Sequence, residues 1–308
     1  PSTISGWPVT KIGEAAFQDN TTITSVTIPA SVTEIGSNAF AGCTNLTSVN
    51  YIGDWSKLTI QSGNPAVEDA VNAQLFDFEF TPDNTAVIVK RYNGTAADVT
   101  IPSRSKGKPV TEIGRAAFYG SSVTSVTIPD SVTFISDAAF ENCSSLTNIS
   151  IPNSVTSIGF SAFEHCTSLK SITLPSSLNS ISEALFSDCS QLTTIHIPDS
   201  VLSIQDYAFG NCTRLETIRI PVSVTSIGNL AFACCPSSMT VTYPGSKTQW
   251  DKINGKDELL NIPLVCNKLE ATFNPDNGEP AFTQDVEYEG NATEPAVPEK
   301  TGYTFDGW

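Results

Sequence analysis

The chain has 308 residues, 40% hydrophobic and only 16% charged, and its 16 basic against 32 acidic residues leave a formal net charge of −16. Phosphate recognition needs a basic stripe and none is visible, so nucleic acid is a poor partner, and an anionic membrane surface would repel the chain. No apolar run approaches the roughly 18 residues of a membrane span, so no membrane insertion is expected within this segment.

The first element in chain order is a repeat. The chain opens at Pro1, and its one methionine is Met239, so the natural N-terminus is expected upstream. Phe40 follows Phe17 by 23 residues, and Phe140, Phe163, Phe186, Phe209 and Phe232 recur at the same interval. Units begin at Ile12, Ile35, Ile113, Ile135, Ile158, Ile181, Ile204 and Ile227, and read I-G-x-x-A-F-x-x-C-x-x-L-T-x-I-x-I-P-x-S-V-T-x. Self-similarity at such a period is the signature of a solenoid, in which no unit buries its apolar side alone.

Within a unit, L-T-x-I-x-I alternates apolar and polar residues and predicts a half-buried strand, as in Leu169–Leu174. Pro175 then ends it, because proline has no N–H for a ladder. The A-F-x-x-C stretch, such as Ala162–Cys166, is expected to make a single helical turn with Phe and Cys on one side. Stacked units would place their strands in a parallel sheet at roughly 4.7–4.9 Å per step.

Further along, the pattern fades at Tyr51-Ile52-Gly53-Asp54-Trp55 and again at Tyr243-Pro244-Gly245 followed by Trp250. Both read as closing turns in which an aromatic covers an open core. Between the arrays, Phe78 and Phe80 alternate with Asp77 and Glu79, Pro82-Asp83-Asn84 supplies a turn, and Ala86–Val89 a second strand. That predicts a β-hairpin or small sheet. Pro102–Phe118 then matches Pro1–Phe17, and the unit at Ile113 is one residue short at Gly120, where a local irregularity is expected. The last forty residues lose the 23-residue period. The organisation expected is a first array over residues 1–75, a hairpin insert over 76–101, a second array over 102–266 and a small β-rich module over 267–308.

The repeat resembles the BspA-type (treponemal) leucine-rich repeats over residues 1 to about 265. The segment from Ala271-Thr272-Phe273 to Gly302-Tyr303-Thr304-Phe305-Asp306-Gly307-Trp308 resembles the Listeria–Bacteroides repeat, a small β-rich module of surface proteins, here cut short. The first resemblance implies a curved right-handed solenoid on a bacterial cell surface or secreted, often as an adhesin. An extracellular location is expected, with any signal and anchor outside these residues.

The eight cysteines do not follow metal-site spacing. The slot before the repeat leucine in leucine-rich repeats holds Asn or Cys bonded to buried backbone, and Asn20 occupies it where later units carry Cys43, Cys143, Cys166, Cys189 and Cys212. Buried free thiols are expected there, with parallel Cβ directions that disfavour disulfides between turns. A disulfide from Cys266 to Cys234 or Cys235 is left open. His165 adjoins Cys166, but neighbours in sequence rarely have nucleophile–base geometry. No G-x-S-x-G, phosphate loop or dinucleotide fingerprint occurs. Asp257-Glu258 reads as a solvated pair and Asp276-Asn277-Gly278 as a turn. No catalytic residue, metal site or cofactor is expected.

One constellation remains. Successive strands stack their polar positions into two columns: Ser125, Asn148, Ser171, Thr194, Thr217 and Thr240, and Thr127, Ser150, Thr173, His196, Arg219 and Thr242. Small β-formers that solvate an open sheet would give the same columns, yet a concave strand face is also where solenoids bind. Asn148, Ser150, Ser171, Thr173, Thr194, His196, Thr217 and Arg219 are therefore the candidate ligand-binding residues, with His196 and Arg219 the departures from Ser/Thr. The expected function is non-catalytic binding of a host or microbial protein or glycoprotein. A passive spacer projecting other domains is the alternative.

Overall fold

The computed structural model describes residues 2–53, 57–259, 262–273 and 282–287. It is a parallel β-solenoid in which each turn contributes to two ladders. The first ladder carries the L-T-x-I-x-I segments. Ser25–Ile28 pairs with Ser48–Tyr51, Asp98–Thr100 with Ser125–Thr127 and then Asn148–Ser150, and Thr194–His196 with Thr217–Arg219 and then Thr240–Ser246. Asp98–Thr100, placed by sequence in the insert, is thus the first rung of the second array.

The second ladder escaped the sequence reading. It is built from the dipeptide before each glycine slot: Lys11–Ile12, Glu34–Ile35 and Thr59–Ile60, then Phe134–Ile135 and Ser157–Ile158, then Ser180–Ile181, Ser203–Ile204 and Ser226–Ile227. At two residues per rung it is too short to show alternation. In the turn that contains Leu169–Leu174 the first ladder narrows to single bridges, Ser150 to Thr173 and Thr173 to His196. Leu174 stands there in place of the β-branched Ile that favours a pleated strand.

The A-F-x-x-C segment is not helical, which corrects the expected single helical turn. It runs through two tight turns with left-handed residues four positions apart: Ser161 and His165 (φ 54° and 57°), Ala184 and Asp188 (51° and 59°), Tyr207 and Asn211 (55° and 58°). A right-handed helical turn cannot contain them. Amides at alternate positions instead donate to the next turn, Ser161 to Glu183, Phe163 to Leu185 and His165 to Ser187, at 2.9–3.1 Å. The second left-handed slot holds Asp19, Gly42, Gly120, Asn142, His165, Asp188, Asn211 and Cys234, all but the last being residue types that tolerate this conformation.

Phe163 and Cys166 do share the interior. The phenylalanines stack turn upon turn from Phe118 to Phe232, with centroids 4.8–5.7 Å apart and planes within 22° of parallel. The buried thiols form a second file, Cys143, Cys166, Cys189 and Cys212 each donating to the phenylalanine carbonyl of the preceding turn at 3.1–3.3 Å. Burial holds these thiols protonated, well above the ordinary range for Cys166 and Cys189.

The core is in two parts. One runs from Ile28 to Val67, the other from Phe76 to Leu259. Helix Pro65–Leu75, which the sequence reading assigned to the first array without seeing it as a helix, closes the first. Pro at its first turn, Glu68 accepting the Asn64 amide at 3.0 Å and the good formers Ala66, Ala70, Ala73, Gln74 and Leu75 build it. Tyr51 is buried beneath, its hydroxyl donating to the Val32 carbonyl at 2.8 Å. The antiparallel hairpin Phe76–Phe80 with Val87–Tyr92 opens the second core, laid parallel on Lys108–Ile113. Asp83 in its turn accepts hydrogen bonds from Thr81 and Thr85, which lower its carboxyl to about 2.

At the far end Tyr243 meets Trp250 edge-on at 5.2 Å, above a short helix Lys247–Trp250 with a Ser246–Gln249 capping box. Leu264–Phe273 continues the ladder in parallel and pairs antiparallel with Phe282–Glu287. Asp54, Trp55, the Asp276-Asn277-Gly278 turn and the closing G-Y-T-F-D-G-W motif lie outside the described residues. In the structure Cys234, Cys235 and Cys266 are free thiols. Cys234 is exposed at φ 59°, Cys235 turns inward to the Phe209 carbonyl at 3.2 Å, and Cys266 lies in register with Tyr243.

Candidate functional site

The alternation in each first-ladder strand buries its central residue and turns the flanking ones outward. Ile149, Ile172, Ile195 and Ile218 are buried, whereas Asn148, Ser150, Ser171, Thr173, Thr194, His196 and Thr217 are exposed and Arg219 is half-buried. Parallel register then sets the columns. Thr127, Ser150, Thr173, His196, Arg219 and Thr242 form one unbroken file of paired positions. The other column is paired in two stretches, Ser125 with Asn148 and Thr194 with Thr217 and Thr240; Ser171 lies between them without a bridge to either.

Electrostatics single out one place on this face. His196 lies directly beside Arg219, and the Arg219 guanidinium donates to Asp199 Oδ1 at 2.8 Å. Asp199 follows Pro198 at the end of the His196 strand, so the loop of this turn reaches the strand of the next. The sequence reading missed Asp199, although its position three residues after His196, one turn before Arg219, is legible once the register is known. An exposed pair of this kind orients the guanidinium more than it stabilises the fold.

A second cluster lies on the turn ridge, away from the strand face. His165 Nδ1 is 3.8 Å from Asp188 Oδ2 and His165 Nε2 is 3.9 Å from Glu164 Oε1. One ligand atom from each of the three falls within 4.8 Å of the others, the one such group among the described residues. Burial and the neighbouring Glu164 carboxylate raise the Glu141 carboxyl, with His165 opposing. His165 thus faces carboxylates while Cys166 points into the core, so the two do not form a nucleophile–base pair. The signal was the shared repeat slot of His165 and Asp188.

Surface depressions offer little enclosure. One of about 430 Å³, lined by Glu183, Gln205, Asp206 and Gly228 among others, is open and sits on the second ladder. No helix among the described residues is long and apolar enough to cross a membrane.

A stacked 23-residue turn with a buried Phe file, a Cys/Asn slot and a polar strand face defines a leucine-rich-repeat solenoid. The model of the BspA type leucine rich repeat region matches residues 3–62 and 111–239, more than half of the chain, and the chain belongs to that family. A Listeria-Bacteroides repeat domain matches residues 270–308. Among solved structures, a Treponema pallidum leucine-rich-repeat protein is 35% identical over 55% of this chain and 79% of its own, with a TM-score of 0.53. A leucine-rich cell surface protein of Faecalibacterium prausnitzii is 27% identical over 82% of this chain and 89% of its own, at 0.45. A leucine-rich-repeat protein of Eubacterium ventriosum is 27% identical over 77% and 82%, at 0.43.

Proposed function

We propose that the chain is a binding module of a bacterial surface or secreted protein, and that it grips a protein or glycoprotein ligand with the first-ladder strand face. The observation that carries this reading is the unbroken, outward-facing file from Thr127 to Thr242, rigidly spaced by the backbone and interrupted only by His196 and Arg219. Contact groups fixed on a scaffold lose little entropy on binding. Both departures from Ser/Thr carry nitrogen donors on an otherwise acidic chain, which favours a partner presenting carboxylates or other acceptors at that point. The bacterial surface setting is supported by the two matching families, and adhesion is the use that fits it.

The experiment is a pull-down with serum, matrix and mucin proteins by the whole chain, followed by affinity measurement on His196→Ser/Arg219→Thr. Loss of about tenfold or more, the size of an ordinary interface hot spot, is expected. Unchanged affinity of a captured ligand removes the strand face as its site, and capture of nothing leaves the spacer reading.

A further inference from the structure

The two arrays begin alike, but among the described residues only one beginning is covered. Thr3 and Ile4 pair with Pro8 and Trp7 in the same register in which Arg104 and Ser105 pair with Pro109 and Lys108. Ser5 and Gly6 repeat the left-handed pair Lys106 and Gly107. The residues that follow, Pro8-Val9-Thr10 and Ile12-Gly13 with Ala15-Ala16-Phe17, recur unchanged as Pro109-Val110-Thr111 and Ile113-Gly114 with Ala116-Ala117-Phe118.

In the second array the hairpin Phe76–Tyr92 sits on this surface. Val87, Ile88 and Val89 pair with Val110, Glu112 and Ile113, the Gly114 amide donates to the Val89 carbonyl at 2.8 Å, and the Tyr92 amide to the Ala117 carbonyl at 2.7 Å. Tyr92 stacks on Phe118 at 5.1 Å, and Lys108 reaches over Phe80. Beneath it Ile113 and Phe118 are 0% and 1% exposed.

In the first array nothing among the described residues occupies the matching place. Among the described residues Phe17 stacks on Phe40 alone and is 40% exposed; Trp7, at the Lys108 position, is 77% exposed. Lys11–Ile12 is an edge strand on that side, an open template for strand addition.

We infer that the outer face of Trp7, Val9, Lys11–Ile12 and Phe17 is a seat for a protein β-hairpin of the Phe76–Tyr92 pattern. Its inner strand runs parallel to Lys11–Ile12, its Val-x-Val side chains pack on Val9 and Ile12, and an aromatic closes over Phe17. Val9, Ile12, Gly13, Ala16 and Phe17 repeat Val110, Ile113, Gly114, Ala117 and Phe118 beneath the seated hairpin and specify the occupant, while Lys11 and Trp7 replace Glu112 and Lys108.

The test joins a second copy of residues 76–101 ahead of Pro1 of the full chain, which reproduces the junction at Ile101–Pro102. A control extension carries Val87→Asp and Val89→Asp in the added copy. Hydrogen exchange at Gly13, tryptophan emission with Trp7→Phe as reference, and sedimentation are read. Seating slows Gly13 exchange by at least about tenfold, the protection of a ladder bond over an open edge, and shifts Trp7 emission to the blue; the control does neither. Unchanged exchange and emission overturn the inference, as does equal protection by the control. A chain whose Trp7 face pairs with a second copy, and still does so when the extension is present, also overturns it.

Discussion

Asn64 Oδ1 accepts the Phe40 amide at 2.9 Å, while its Nδ2 donates to the carbonyls of Gly36 at 3.0 Å and Gln61 at 2.7 Å. In the interior of the second array the equivalent amide, that of Phe140 or Phe163, meets a carbonyl of the following turn. Asn64 is therefore a side chain standing in for the backbone of a turn that does not follow. Asn64→Ala leaves buried groups without partners, at a cost of about 1–3 kcal/mol. Because the two cores are separate, urea unfolding should show the loss in the first array, with the transition of the second unmoved.

Phe163 is fully buried and stacked on both sides, on Phe140 at 5.3 Å and on Phe186 at 5.7 Å. Phe163→Ala opens a cavity in mid-file and should cost about 3–5 kcal/mol by denaturant titration. In a solenoid, coupling passes only between neighbours, so the loss should also broaden the transition by letting the two sides unfold apart.

Leu230 is exposed and held at φ 55°, where a non-glycine side chain is strained by about 1–2 kcal/mol. Asparagine tolerates this conformation. Leu230→Asn should raise the thermal midpoint of the second array, while the same change at Leu215, a buried residue of the same turn series, should lower it sharply.

The contrast between these positions shows what the sequence made legible. The 23-residue period exposed the Phe and Cys files directly, because identical side chains stack on themselves. The strand face was legible for the same reason, since alternation in L-T-x-I-x-I assigns each residue a side. The helical reading of A-F-x-x-C failed because a spacing of three fits both a helical turn and two chained tight turns. Asn142, Asp188 and Asn211 in a recurring slot were the clue to left-handed backbone. The second ladder was hidden by its two-residue rungs. Helix Pro65–Leu75 carried ordinary start signals in Pro65 and Glu68, but it lies past the point where the 23-residue period fades, and the period says nothing there. Asp199 reaches Arg219 only through a register that one unit does not contain.

Ionisation of the inward thiols should set the alkaline limit of stability. Burial pushes Cys235 from an ordinary 9.0 to about 12, and raises Cys143, Cys166, Cys189 and Cys212 in the same direction. The unfolded thiols ionise first, so the stabilisation they confer is whole below the ordinary value and drains away as pH climbs toward the folded one. Urea midpoints of the second array should hold to about pH 8.5 and fall above it. Replacing Cys235 by Ala should flatten part of that fall. At neutral pH a thiol reagent should label exposed Cys234 quickly and the buried file only as fast as turns open.

Each interface between turns repeats the last: Phe upon Phe, thiol to carbonyl, rung beside rung. One more 23-residue unit inserted between Phe163 and Phe186 would meet the same surface above and below that its neighbours meet now. The chain would grow by about 4.8 Å, the spacing of one rung, and every other contact would stay as it is. Such a molecule can be lengthened or shortened by duplication without redesign. Its reach is an inheritable quantity that changes in whole steps, like notches on a ruler.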